Sequence, residues 1–289
     1  MNLEKIKILL QYMLPKHLLT RLVGFFAAAR LGKVTTFAIE KFAQVYKINL
    51  DEAAQKPQDF ATFNDFFSRA LKKGARPIDK QENSVVFPAD GHISAYGKLK
   101  ENLQMQAKGH YFTVESLLAS EENGKIFKNG EFITTYLSPQ DYHRVHIPTG
   151  GRLLEMTYVP GELFSVNPLY TNNIPELFSR NERVICLFET ELGKMAVVMV
   201  GAAIVRSIAT VWAGVVAPNK ASEVVVFDYT KQDIHFAKGD EIGRFMMGST
   251  VICLFEKDKI EFAGDYGIES RVHYGNKLAT AKNYHPKED

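Results

Sequence analysis

The stretch FMMGSTVICLF, which runs from Phe245 to Phe255, places a glycine and two hydroxyl side chains between two apolar runs. Such a break inside strand-like sequence is typical of a tight turn or a bulge between buried strands. The hexapeptide VICLFE occurs twice, at 184–189 and at 251–256, which indicates either a duplicated hairpin or a coincidence among apolar strand residues. Only the second copy follows Gly-Ser-Thr. The tripeptide is therefore not needed to build the strand, which favours a chemical role for it.

The composition is that of a globular protein. The 289 residues are 46% hydrophobic and 24% charged, enough for a sizeable core in one large domain, with or without an appendage. A formal net charge of +2 argues against nucleic acid as the main partner. The two cysteines, Cys186 and Cys253, lie in the two VICLF runs. We expect them to be buried, reduced thiols, with no disulfide framework.

The beginning of the chain is basic and apolar. Residues 1–38 carry six Lys or Arg residues and a single Glu. Apolar residues recur at helical spacing in two segments separated by Pro15, namely Leu3, Ile6, Leu10 and Met13, then Leu18, Leu19, Leu22, Phe25 and Phe26. Because no run of 18 or more uncharged apolar residues is present, the predicted helices lie on a bilayer without crossing it. The alternative is a pair of helices packed on the protein's own core, and the basic excess favours the membrane.

The periodicity of the sequence changes along the chain. The segment TFNDFFSRALKKG predicts a helix, with Thr62 as N-cap, Asp65 completing a capping box and Gly74 as the C-terminal stop. From Val85 onward, short β-rich runs are separated by glycine turns. The sequence therefore predicts an α+β fold. It has a helical, membrane-associating region over 1–82 and a mostly antiparallel β catalytic body over 83–289, arranged as a two-sheet sandwich.

Two further segments carry polar residues in apolar surroundings. VFPADGHIS places Asp90 at the end of an apolar run, where an ordinary Asp-Gly turn is the alternative interpretation. YLSPQDYHRVHIPTGG brings Asp141, His143, Arg144 and His146 close together. In a strand, residues three apart face opposite ways, which argues against a metal site shared by the two histidines. They are either satisfied, partly buried imidazoles or groups that serve two different steps.

Together, Asp90, His146 and Ser249 have the chemistry of an orienting group, a base and a hydroxyl nucleophile. A serine hydrolase would use Ser249 intact on an ester, yet a buried-looking strand comes directly after this serine. Its nearest electrophile is the carbonyl of Gly248. Two other interpretations stay open: a non-enzymatic, membrane-bound β domain with Ser249 in a plain turn, and a metal-dependent hydrolase that uses both histidines.

Several segments taken together resemble one enzyme family. DYHRVHIP, TFNDFFSRAL with GARPI, VFPADG, PGELFSVNP and GSTVICLF are similar to the phosphatidylserine decarboxylase family in its short bacterial form. The resemblance spans nearly the whole chain, and Met247 stands where the family usually has leucine. It implies a proenzyme that cuts itself between Gly248 and Ser249 into chains of residues 1–248 and 249–289.

The resemblance also implies the residues that make the cut. Ser249 Oγ would attack the Gly248 carbonyl, with His146 as base and Asp90 as the group that orients it. The serine would end as a covalent pyruvate cofactor, a pyruvoyl group, which supplies the electron sink that ordinary side chains lack. The resemblance then implies decarboxylation of phosphatidylserine to phosphatidylethanolamine through a Schiff base on this group.

The same resemblance implies further residues and partners. His143 is the candidate proton donor or carboxylate-positioning group. Phe164 and Asn167, in PGELFSVNP, are candidate substrate contacts. The expected partners are a phospholipid membrane that holds phosphatidylserine, the two chains of one precursor, and a second copy in a homodimer. The expected location is peripheral, on the cytoplasmic face of the cell membrane.

Overall fold

The computed structural model describes residues 3–100, 103–107, 110–202, 207–246, 249–264 and 266–282. The predicted α+β class is confirmed, because helices come first and antiparallel strands come after them. The helices are α1 Leu3–Met13, α2 Lys16–Ala28, α3 Lys33–Tyr46, α4 Phe63–Phe67, α5 Val114–Leu118, α6 Glu121–Ile126, α7 Pro168–Thr171 and α8 Leu177–Arg180.

The strands begin at Ser84 and continue to Ala281. They are β1 Ser84–Val86, β2 Gly91–Lys98, β3 Leu103–Ala107, β4 His110–Thr113, β5 Glu131–Leu137, β6 Arg144–His146, β7 Gly151–Val159, β8 Arg183–Thr190, β9 Gly193–Val200, β10 Ile208–Thr210, β11 Gly214–Ala217, β12 Val225–Asp228, β13 His235–Phe236, β14 Glu241–Phe245, β15 Ser249–Phe255, β16 Ile260–Phe262, β17 Arg271–Val272 and β18 Lys277–Ala281.

The two basic, apolar segments form helices α1 and α2, which break at Pro15 as predicted. All five apolar residues predicted to share one face of α2 are exposed to solvent, namely Leu18, Leu19, Leu22, Phe25 and Phe26. This face of α2 therefore does not pack on the protein's own core. No single helix of the described ranges has the length and hydropathy to span a membrane. Among these helices, only α2 and α3 taken together, bent by 116°, have that length and hydropathy.

Helix α4 begins as predicted and ends early. Thr62 and Asp65 form the capping box, in which each side chain accepts a hydrogen bond from the other residue's backbone N–H. The helix ends at Phe67, so the predicted stop at Gly74 is wrong. The chain turns extended because Leu71 forms an antiparallel bridge with Ala53. Backbone groups of this segment pair across the bridge, so they are not available for a longer helix.

The body is organised around a nine-stranded sheet with the order β12-β7-β8-β9-β15-β5-β2-β17, to which β13 adds alongside β7. The two VICLF runs lie on β8 and β15, on either side of β9 and in the same register. Cys186 and Cys253 are therefore both opposite Val197. Both thiols are free and buried, as predicted, and burial raises the pKa of each.

The two VICLFE copies do not form equivalent hairpins. Strand β8 turns back into β9 and pairs with it, whereas β16, the next strand after β15, leaves the large sheet and pairs with β18. The duplicated-hairpin hypothesis is therefore wrong beyond the strand itself. What the copies share is a pattern of side chains that suits a central strand with both faces buried.

A two-sheet sandwich describes only part of the body. On one face, the large sheet packs against a four-stranded sheet, β11-β10-β14-β6, and a three-stranded sheet, β1-β18-β16, around a common apolar core. On the other face, apolar residues of β4, α5 and α8 cover it. The second layer of the predicted sandwich is thus split into two small sheets, and short helices form much of a third layer.

Candidate active site

Ser249 is the first residue of β15, in the middle of the large sheet. It lies opposite Leu137, the last residue of β5, and its side chain is completely buried. Its Oγ has no hydrogen-bond partner among the residues that the structure describes. The preceding strand, β14, belongs to the four-stranded sheet, so the chain changes sheets between Phe245 and Ser249, and β14 and β15 do not form a hairpin. Gly248, the predicted cleavage-site carbonyl, lies outside the described residues.

The histidine segment starts beside Ser249. The loop from Ser138 leaves β5 directly after Leu137, and Asp141 closes it by accepting hydrogen bonds from the backbone N–H and hydroxyl of Ser138, at 2.8 and 2.6 Å. The carbonyl of His143 accepts a hydrogen bond from the N–H of Phe245, at 2.9 Å. The segment is therefore tied to β5 on one side and, on the other, to the strand that leads to Ser249.

His146 lies at the end of β6 with its ring buried. Its Nδ1 is 2.8 Å from the carbonyl oxygen of Gly239, and because a carbonyl only accepts, Nδ1 carries the proton. Nε2 is therefore unprotonated, and its lone pair accepts a hydrogen bond from the hydroxyl of Tyr142 at 3.2 Å. Burial lowers the pKa of His146 below its ordinary value. The ring is a neutral imidazole, as a general base must be.

Asp90 is a buried carboxylate at the point where the chain enters β2. The next residue has to be glycine, because a Cβ at Gly91 would clash with the carbonyl oxygen of Tyr136. Asp90 Oδ2 accepts a hydrogen bond from Arg76 Nε at 2.9 Å and lies 3.2 Å from His273 Nδ1, and Oδ1 accepts from the N–H of Tyr274 at 2.9 Å.

The contacts of Asp90 fix its ionisation state. Burial alone would raise the pKa of this carboxyl group, but the contacts with His273, Arg76 and the N–H of Tyr274 outweigh burial and hold the pKa below its ordinary value. Asp90 is therefore ionised at neutral pH. Arg76 also pairs with Glu52, at 2.8 Å, so a network of three charged side chains fixes the carboxylate.

The structure brings Asp90 and His146 together without a hydrogen bond between their side chains. The ring of His146 bonds to Gly239 and Tyr142, so the predicted direct orienting contact from Asp90 is absent among the described contacts. Tyr274 connects the two residues instead. Its N–H binds Asp90, and its ring stacks on the ring of His146, with centroids 3.8 Å apart and planes 6° apart.

Three residues of this cluster were not predicted from the sequence. Arg76 belongs to the GARPI segment, which contributed to the family resemblance without a role of its own. His273 and Tyr274 lie on the far side of the predicted cleavage point, in a stretch without any motif. Only the pairing of β17 with β2 brings this stretch beside Asp90.

His143 occupies a different environment from His146. Its ring is fully buried and packs on the ring of Phe67, with centroids 4.2 Å apart. Nδ1 donates to the carbonyl of Asp141 at 2.8 Å, and Nε2 has no hydrogen-bond partner in the described part of the chain. Burial, together with the nearby charge of Arg69, lowers the pKa of His143 to about 3. In this state the ring can accept a proton or a hydrogen bond at Nε2. Donating a proton from Nε2 would require that it be protonated first.

The two histidines have separate hydrogen-bond partners, the carbonyl of Asp141 for His143 and the carbonyl of Gly239 for His146. No group of three or more His, Cys, Asp or Glu side chains in the described ranges is placed to hold a metal ion. His143 precedes β6, so the two histidines do not share one strand as the sequence argument assumed, and the absence of a metal site stays a prediction.

Phe164 and Asn167 have structural contacts in the described part of the molecule. Phe164 is buried and packs edge-on against Tyr12 of α1, with Lys16 over its ring at 3.8 Å. Asn167 caps α7 by accepting a hydrogen bond from the N–H of Leu169. These contacts attach the N-terminal helices and shape the loop, and substrate contact by either residue stays a prediction.

Comparison with known proteins gives a consistent result. A family model described as phosphatidylserine decarboxylase matches residues 63–280, and a second model, described as PSD, matches residues 6–47. A phosphatidylserine decarboxylase proenzyme of Shewanella sediminis is 54% identical over 283 residues, which cover 96% of this chain and 99% of the relative. The proenzyme of the same name from Shewanella putrefaciens is 51% identical over 287 residues, covering 97% of this chain and 99% of the relative.

The stack between Tyr274 and His146 gives a testable prediction. In a chain that carries Ser249→Ala, the further change Tyr274→Ala should expose one side of the His146 ring and raise its pKa toward the ordinary value, because burial is the main cause of the low pKa. Loss of the stack should also lower the free energy of unfolding by about 1 kcal/mol. The pKa can be measured by NMR titration of isotopically labelled histidine. Tyr274→Phe keeps the ring and should change neither quantity, so an equal effect of both changes would contradict the role of the stack.

Proposed function

Because the chain belongs to the phosphatidylserine decarboxylase family, we propose that it is a pyruvoyl-dependent carboxy-lyase that converts phosphatidylserine to phosphatidylethanolamine. The observation that carries the proposal is the position of Ser249. This residue begins a central strand, is fully buried, and has a hydroxyl group without a hydrogen-bond partner among the described residues. A buried unpaired hydroxyl costs about 1–3 kcal/mol, which indicates a functional demand on this position.

The first reaction is self-cleavage between Gly248 and Ser249. Ser249 Oγ attacks the carbonyl carbon of Gly248, and Nε2 of His146 is the base that takes the hydroxyl proton. The neutral ring and the protonated Nδ1 support this role, since they leave Nε2 unprotonated. The hydroxyl of Tyr142 must turn away from Nε2 first. Elimination from the resulting ester and hydrolysis with loss of ammonia then leave a pyruvoyl group.

The ionised Asp90 stabilises the charge that develops on the base. It lies close enough to His146 for its negative charge to favour the protonated ring, although burial, the Gly239 hydrogen bond and the charge of Glu241 contribute more to the pKa of His146. Tyr274 holds the Asp90 carboxylate and the His146 ring in fixed positions relative to each other. Asp90 therefore acts through space, and the orienting hydrogen bond comes from the carbonyl of Gly239.

The surroundings of Ser249 fit a pyruvoyl group. The group is made from Ser249 itself, so it needs no added volume in the buried site. Ser249 Oγ has no hydrogen-bond partner among the described residues, so its conversion breaks no described hydrogen bond. When present, it supplies the electron sink that a decarboxylation requires. His143 has an Nε2 without a hydrogen-bond partner in the described ranges and is the group that we propose to handle the proton or the carboxylate of the substrate.

The sheet supports a protein that stays assembled after the cut. Residues after the cleavage point contribute β15, which pairs with β9 and β5, and β17 and β18, which pair with β2 and β1. All four partners lie before the cleavage point. The smaller chain would therefore remain bound through backbone hydrogen bonds along both edges of a central strand.

An ester hydrolase that uses intact Ser249 is the alternative function. It requires a substrate carbonyl to reach Oγ, yet the side chain of Ser249 has 0% exposure in the uncut chain. Burial is no obstacle to an attack on the neighbouring peptide bond. The geometry therefore supports self-cleavage better than hydrolysis of a bound ester.

The exposed face of α2 supports a membrane as the partner. Phe25 and Phe26 are 71% and 65% exposed, and their basic neighbours suit anionic lipid head groups. A diacyl substrate stays in the bilayer, so a peripheral enzyme of this kind must lie on its surface. The cytoplasmic face of the cell membrane and a homodimer are parts of this proposal that come from the family resemblance.

Intact mass under denaturing conditions tests the proposed function. The purified parent protein should give two chains that meet at Gly248–Ser249, and the smaller one should be lighter by one ammonia than a peptide of residues 249–289 that begins with serine. Ser249→Ala should give one uncut chain, while Thr250→Ser, a matched hydroxyl change at the neighbouring residue, should still be cut. A parent chain that stays whole after long incubation with membranes would contradict the proposal.

Flotation with vesicles tests the membrane partner. The double change Phe25→Ser and Phe26→Ser should weaken binding to phosphatidylserine vesicles about tenfold or more, since each buried Phe contributes about 1.5–3 kcal/mol. Val226→Ser with Ile268→Ser is the matched control, because these two apolar residues are exposed elsewhere on the surface. Equal loss of binding in both double variants would rule out α2 as the specific contact.

A further inference from the structure

A polar cavity of about 290 Å³ lies between the N-terminal region and the catalytic body. Asp90, Tyr142 and His273 line one side of it, so it adjoins the candidate active site. Four cationic side chains also line it, namely Lys47, Arg69, Arg76 and Arg271. Three acidic side chains accompany them, namely Glu52, Asp90 and Asp141.

The charges in this cavity do not all cancel in pairs. Arg76 is paired with both Glu52 and Asp90, at 2.8 and 2.7 Å. Arg271 lies 3.5 Å from Asp141, and its side chain is half exposed. These contacts use all three acidic side chains of the wall, and the cationic groups outnumber them.

Two cations of the wall, Lys47 and Arg69, have no acidic partner among the described ion pairs, and Arg69 is the buried one. It is only 4% exposed, and its Nη2 donates to the backbone carbonyls of Gln140 and Asp141, at 3.3 and 3.4 Å. Neither Nε nor Nη1 has a hydrogen-bond partner in the described ranges. Buried guanidinium N–H groups without hydrogen-bond partners are costly, and a bound anion that accepts from them would lower that cost.

The cavity opens beside the exposed apolar helices. Lys47, which lines it, comes directly after the end of α3, where Val45 and Tyr46 are exposed. A lipid whose acyl chains stay against this apolar surface can therefore reach the cavity with its head group. Ser249 does not line the cavity, so the part of the head group held here is not the part that reacts.

We propose that this cavity is the binding site for the phosphodiester of a glycerophospholipid head group. The site rests on the proposed function, because it holds the non-reacting anion of the substrate while the serine end extends toward Ser249. Arginine suits a phosphate group, to which it donates charge-assisted hydrogen bonds. Binding energy from this remote anion positions the reacting end. Arg271 and Lys47 contact the phosphate, and the buried charge of Arg69 attracts it.

Titration calorimetry on the full chain with Ser249→Ala tests the site, because this chain should stay uncut and performs no chemistry. Glycerophosphoserine and glycerophosphoethanolamine share the phosphodiester and should bind with similar affinity, whereas L-serine should not bind. Arg271→Gln and Lys47→Gln should each weaken binding of both diesters about three- to tenfold, as expected for partly exposed charges. Arg152→Gln removes an arginine from a surface ion pair elsewhere and should leave binding unchanged.

The other outcomes would overturn either the site or the function on which it rests. Binding of glycerophosphoserine and L-serine, but not of glycerophosphoethanolamine, would make this a carboxylate site. Binding of inorganic phosphate alone would make it a site for free anions. No binding of either diester at millimolar concentration, or an unchanged KM of the Arg271→Gln enzyme for phosphatidylserine vesicles, would remove the site and leave the decarboxylase intact. Diester binding by a parent chain that never cuts itself would remove the decarboxylase instead.

Discussion

Strand β15 is hydrogen-bonded along both edges, to β9 on one side and to β5 on the other, and the rest of the structure depends on this arrangement. Its first residue is Ser249, so the candidate reacting group is fixed by the backbone of the largest sheet. Both faces of β15 are buried, which shields the Ser249 hydroxyl group from bulk solvent in the uncut chain. The same pairing allows a cut at the beginning of the strand without releasing the C-terminal chain.

The candidate site is assembled from both sides of the proposed cut. Asp90 and His146 precede it, whereas Tyr274, which contacts both, lies after it. Folding of the whole precursor must therefore come before the chemistry, since the base and the carboxylate are positioned only after β17 has paired with β2. This dependence gives a physical reason for a precursor that folds as one chain and is cut afterwards.

The parts of the structure that depend on local sequence could be predicted from it. The capping box of α4, the break at Pro15, the strand character of the two VICLF runs and the buried thiols are set by residue type and spacing alone. The end of α4 could not be predicted, because it depends on a bridge between Leu71 and the distant Ala53. The sheet to which β16 belongs could not be predicted either, because it depends on pairing with β18, which no local pattern encodes.

In the candidate site, too, the residues could be predicted from local sequence and their contacts could not. Asp90, His143, His146 and Ser249 were found because polar residues stand out in apolar runs, whereas their roles in catalysis remain predictions. The contacts between them could not be predicted. The His146 ring binds the backbone carbonyl of Gly239, a group that every residue has, and the hydroxyl of Tyr142, a group that every tyrosine has. Arg76 reaches Asp90 from the N-terminal region. Such contacts are set by tertiary packing, which a single sequence does not reveal.

The lipid product is the most direct measurement of the central claim. Parent protein should be incubated with vesicles that contain phosphatidylserine, and the extracted lipids analysed by mass spectrometry. The account predicts phosphatidylethanolamine with both acyl chains retained, formed together with an equal amount of carbon dioxide and absent with Ser249→Ala. Release of fatty acid or lysolipid without phosphatidylethanolamine would contradict it and would identify an ester hydrolase instead.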